Sequence, residues 1–90
     1  MIVMGQFGGE KIARHSPYLV EQIDDRWYVG IPPDDIVEAR LSSWCEQMIG
    51  DPDEAWGLDY DEFYSPLSCG LMFWFADETS FDLFRMAWCL

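Results

Sequence analysis

The chain has 90 residues, half of them hydrophobic and 17% aromatic, with 17 Asp and Glu against 5 Lys and Arg, for a net charge of −12. That length fits one domain, and the aromatic content supports a compact core of a kind that acidic disordered tails lack. The charge argues against direct nucleic-acid binding, because so few basic residues cannot neutralise a phosphate backbone, and no apolar run approaches the ~18 residues of a membrane span.

Met1 to Phe7 reads as a strand and Gly8-Gly9 as a turn, with no basic leader and no small-residue cleavage site. Tyr18 to Ile23 and Arg26 to Ile31 are β-prone runs separated by Asp24-Asp25, a spacing that predicts a tight hairpin. Pro32-Pro33 then leads into a helix over about 34–49, with Asp34 or Asp35 available as N-cap. Val37, Leu41, Trp44, Cys45, Met48 and Ile49 recur on one face of that helix, and Gly50 supplies a stop. Asp51 to Pro66 holds acids, aromatics and two prolines without an evident long period, and reads as an irregular acidic-aromatic loop, 51–66, inside a single 1–90 domain. Ser68 to Ala76 is a continuous apolar run, which predicts a central strand buried on both faces. A final helix over about 78–89, capped by Asp77 or Thr79, carries Phe81, Phe84, Ala87 and Trp88 on its core face, with Arg85 alone on the other. The order is that of an α+β fold: a small, mostly antiparallel sheet, made of an N-terminal hairpin and one central strand, with two helices packed on one face.

Between Arg40 and Arg85 there is no Lys or Arg, and the acids there include a doubled tetrapeptide, Asp51-Pro-Asp53-Glu54 and Asp59-Tyr-Asp61-Glu62. Carboxylates at such spacing can converge on a hard cation. In the register of a calcium loop, however, Ala55 stands at a ligand position and Trp56 where the turn needs glycine. Paired carboxylates can also work as general acid and base, but His15 is the sole histidine and neither a nucleophile elbow nor a phosphate loop is present. Cys45, Cys69 and Cys89 lack the close spacing of a zinc site, and being odd in number and far apart they argue against a secreted disulfide framework. They read as buried thiols in a reducing cytosol.

The acid clusters all flank ends of expected elements, and Trp56, Tyr60, Phe63 and Tyr64 lie among them, at least two of the four being expected in the core. This pattern predicts a surface for a basic partner, formed by Asp34, Asp35, Asp51, Asp53, Glu54, Trp56, Asp59, Tyr60, Asp61 and Glu62, with aromatic anchors and steering carboxylates. In overall profile the chain resembles small acidic phage-encoded inhibitors, including anti-CRISPR proteins, and is similar to nuclease immunity proteins. The closing stretch, Phe73 to Trp88, looks like the strand-then-helix ending of small α+β phage proteins. The resemblance carries no functional residue. It implies a non-enzymatic inhibitor in a bacterial cytoplasm, monomer or homodimer, without cofactor, whose partner is a basic nucleic-acid-binding protein or ribonucleoprotein such as a CRISPR effector. Two other readings are a small divalent-metal or carboxylate-dependent enzyme built on the doubled tetrapeptide, and a self-assembling structural protein.

Overall fold

Asp24 turns the chain with a left-handed φ of 57°, a conformation Asp tolerates better than most residues. It joins β1 (Leu19–Ile23) to β2 (Arg26–Ile31) in the expected hairpin, paired from Leu19↔Gly30 to Ile23↔Arg26. The computed structural model describes residues 15–89, so the strand and turn read in Met1–Gly9 lie outside the described residues.

The apolar run forms β4 (Gly70–Phe75), which pairs antiparallel with β2 on one side and with β3 (Trp56–Asp61) on the other. The sheet order is β1-β2-β4-β3. Because side chains alternate along each strand, Val29, Ile31, Leu71, Phe73, Phe75 and Trp56 share one face and enter the core. The opposite face carries Tyr28, Gly30, Met72, Trp74, Gly57, Asp59 and Asp61.

Helix α1 (Asp35–Met48) starts at Asp34, whose Oδ1 accepts the Ile36 and Val37 N–H groups. Helix α2 (Glu78–Trp88) starts at Asp77, which accepts from Ser80. Each cap satisfies donors that have no partner within the helix and contributes about 1 kcal/mol. Leu41, Trp44 and Cys45 of α1 and Phe81 and Phe84 of α2 join the core cluster on the same sheet face. Phe84 is its hub, with ring centroids 5.0 Å from Phe75, 5.1 Å from Phe73 and 6.0 Å from Trp44. Phe73, Phe75 and Phe84 are fully buried, and each such side chain contributes about 1.5–3 kcal/mol by leaving water.

Four expectations are corrected here. The segment 51–66 is not a loop throughout, because residues 56–61 are β3, held by a full ladder to β4. Met48, the last residue of α1, is exposed, although Cys45 in the same turn is buried. Cys69 is exposed in the turn before β4, whereas Cys45 and Cys89 are buried as expected. Arg85 is not alone: its guanidinium lies 3.9 Å from Asp82 and over the Phe81 ring.

Candidate functional site

Among the described residues β3 is an edge strand, and the acids of the doubled tetrapeptide are strung along it. Asp51, Asp53 and Glu54 lie in the turn before it, Asp59 and Asp61 within it, and Glu62 just after it. The turn is fixed by backbone bonds: Asp53 N–H donates to Trp56 C=O at 2.7 Å, and Ala76 N–H donates to Ala55 C=O at 2.9 Å. Asp53 holds a left-handed φ of 68° to make it. At ~3.3 Å per residue, the five steps of β3 from Trp56 to Asp61 span about 17 Å. The strand therefore keeps the two tetrapeptides apart. They do not close into a twelve-residue cation loop, and no group of three or more His, Cys, Asp or Glu is set to hold a metal among the described residues.

The carboxylates differ in how they are used. Asp61 is committed internally: its Oδ2 accepts the Tyr18 hydroxyl at 2.8 Å and its Oδ1 accepts the Phe63 N–H at 3.0 Å. Asp34 is spent on the α1 cap. Asp51, Asp53, Glu54, Asp59 and Glu62 are exposed, and their carboxylates make no hydrogen bond or ion pair among the described residues. Asp35 is likewise exposed, in the first turn of α1. Tyr60 bridges the two groups, its hydroxyl donating to Glu38 of α1. That hydrogen bond, more than burial, raises the Tyr60 phenol above its ordinary range.

The aromatics sort differently from the expectation. Trp56 is only 2% exposed; it stacks on Phe73 and its Nε1–H donates to Gly50 C=O at 2.7 Å, so it belongs to the core and cannot meet a partner. Of the four aromatics it is the only buried one. Tyr60 and Tyr64 are exposed, and Phe63 is 97% exposed at the β3–β4 turn. Leu67, which the sequence reading did not single out, is 94% exposed in the same turn, and an open cleft of about 500 Å3 lies between Tyr60, Glu62 and segment 65–69. No periodic signal marks Leu67; its place between Pro66 and Ser68 is the one hint of a turn.

The face of the sheet away from the helices is finished by two aromatic side chains laid over glycines. The Tyr18 side chain crosses Gly30 and Gly70, where an added Cβ would come within 2.7 Å of its ring and 2.3 Å of its hydroxyl oxygen, respectively. Burial first, then the Asp61 hydrogen bond and charge, push the Tyr18 phenol well above its usual value. Trp74 lies over Gly57, where a Cβ would meet its ring at 2.3 Å, and the Arg26 guanidinium caps the indole at 3.9 Å. Arg26 sits at the hairpin end of β2, and its guanidinium is engaged by the Trp74 indole. No helix among the described residues is long and apolar enough to cross a membrane. No protein-family model matches the chain, and no curated protein or solved structure matches it at a significant level.

Proposed function

We propose that this chain is a non-enzymatic binding protein that inhibits a basic nucleic-acid-binding protein or ribonucleoprotein by occupying its phosphate-recognition surface. One observation carries the reading: a sheet edge bears Asp51, Asp53, Glu54, Asp59 and Glu62, all exposed and none neutralised by Lys or Arg among the described residues. The strand they flank, five steps of ~3.3 Å or about 17 Å, compares with the axial length of about five nucleotides of one duplex strand, at ~3.4 Å each. Such a line of charge steers a basic partner into contact and repels nucleic acid and anionic membrane. Phe63 and Leu67, at the end of the line, supply the apolar contacts that slow dissociation.

The test is direct competition. The chain, added to a complex of its captured target with duplex DNA or guide RNA, releases the nucleic acid at low salt and does so less well as salt rises. If the target binds the chain and its nucleic acid together, the mimic reading fails.

A further inference from the structure

The β3 edge offers backbone as well as charge. In an antiparallel ladder, paired residues exchange both of their backbone bonds, and alternate residues turn theirs away. The bond from Ala76 N–H to Ala55 C=O sets the phase, so Ala55, Gly57, Asp59 and Asp61 spend their groups on β4, while Trp56, Leu58 and Tyr60 turn theirs outward. Asp53 N–H takes the Trp56 carbonyl. The N–H and C=O groups of Leu58 and Tyr60 are left without a backbone partner among the described residues.

We propose that this edge accepts an extended, basic segment of the target as a fifth strand, an inference that rests on the acidic-binding reading of the same edge. An added strand gains main-chain bonds from Leu58 and Tyr60, and its side chains alternate between two different surfaces. On the open face they meet Asp59, whose carboxylate is uncommitted, which suits Lys or Arg. On the helix face they meet Leu58 and Tyr60, which suits Val, Ile or Thr. The matching segment therefore alternates basic and β-branched residues.

The charge selects this occupant over a second copy of the chain. Two β3 strands paired antiparallel with Leu58 of one copy opposite Tyr60 of the other would set Asp59 directly against Asp59 on the open face, and like charges placed opposite destabilise a sheet. Acids on an edge strand are an ordinary guard against strand addition. That guard acts against neutral and acidic strands, and for a basic one its sign is reversed.

The probe is a peptide of about eight residues, within ordinary strand length, alternating Lys and Val, beside a version methylated at every internal amide nitrogen that keeps the charge and loses the donors. Both are titrated into the full chain at low salt while amide exchange at Leu58 and Tyr60 is followed by NMR. The expected result is slowing of those two amides by about tenfold or more with the unmodified peptide, and binding about tenfold weaker for the methylated one. Tyr60→Pro, which removes an outward N–H that β4 does not use, weakens the unmodified peptide, whereas Tyr60→Thr keeps it. Equal binding of both peptides without protection of Leu58 and Tyr60 overturns the added strand and leaves the acidic surface standing. Failure of both peptides, and of a basic protein such as a histone, overturns the acidic-binding reading as well. Protection that rises with chain concentration in the absence of peptide assigns the edge to a second copy and overturns the proposal.

Discussion

The Tyr18 hydroxyl donates to Asp61 Oδ2 at 2.8 Å, from the start of the strand at one edge of the sheet to the end of the strand at the other. Two glycines clear its path, Gly30 on β2 and Gly70 on β4. The same carboxylate receives the Phe63 N–H, and the Asp61 carbonyl receives the Tyr64 N–H. One side chain thus locks the sheet's open face to the turn that presents Phe63 and Leu67.

Tyr18→Phe removes the hydroxyl and keeps the ring. It costs about 1 kcal/mol in urea unfolding at neutral pH, the usual worth of one hydrogen bond. The fold raises the Tyr18 phenol above its ordinary value of 10.0, so the native state holds that proton more tightly than the unfolded chain does. The stability it contributes is whole below pH 10 and is lost as pH rises above it towards the folded value. The variant loses less stability than the parent over that alkaline range; identical slopes would contradict the assignment.

Gly57→Ala sets a methyl against the Trp74 ring, which the Arg26 guanidinium also contacts. Overpacking of this kind costs about 1–3 kcal/mol. Thermal unfolding and near-ultraviolet circular dichroism of the tryptophans should both report it. An unchanged melting temperature would mean that Trp74 has another place to go.

Trp56 and Phe63 separate core from surface. Trp56→Ala removes a buried ring and its bond to Gly50, for about 3–5 kcal/mol, enough to unfold much of so small a domain. Phe63→Ala leaves stability within about 0.5 kcal/mol and acts on dissociation of the partner.

Thiol labelling orders the cysteines. Cys69, exposed before β4, reacts in the native state. Cys45 does not, because burial, aided by the charge of Glu46, pushes its thiol up to about 12 and also blocks the reagent. Cys45 and the buried Cys89 become reactive on unfolding in urea.

Most of the fold is legible in the sequence because its signals are local. Asp24-Asp25 marks the hairpin, the spacing of Leu41, Trp44 and Cys45 marks α1, and the apolar run before Ala76 marks β4 as the strand with neighbours on both sides. β3 was hidden by its composition. Trp56, Leu58 and Tyr60 do alternate with Gly57, Asp59 and Asp61, but Gly and Asp are poor strand formers, and the strand is stabilised by its long-range ladder to β4 rather than by propensity. The same oversight misplaced Trp56 among the surface anchors, since an irregular loop gives no face to assign it to. Nor could sequence separate the carboxylates by role: that Asp61 and Asp34 are spent on Tyr18 and on a helix cap, while Asp59 is not, depends on contacts that only the folded chain creates.

The central claim is that the uncommitted carboxylates of the β3 edge bind a basic target. It is tested by affinity capture from a bacterial lysate, with mass spectrometry, using the parent chain and the variant Asp51→Asn, Asp53→Asn, Glu54→Gln, Asp59→Asn, Glu62→Gln as baits. Asn suits Asp53 because it tolerates the left-handed φ there. The account predicts that the parent retains a basic nucleic-acid-binding protein or ribonucleoprotein at low salt, releases it at moderate salt, and that the folded variant does not retain it. Retention of the same protein by both baits, or of nothing basic by the parent, would contradict it.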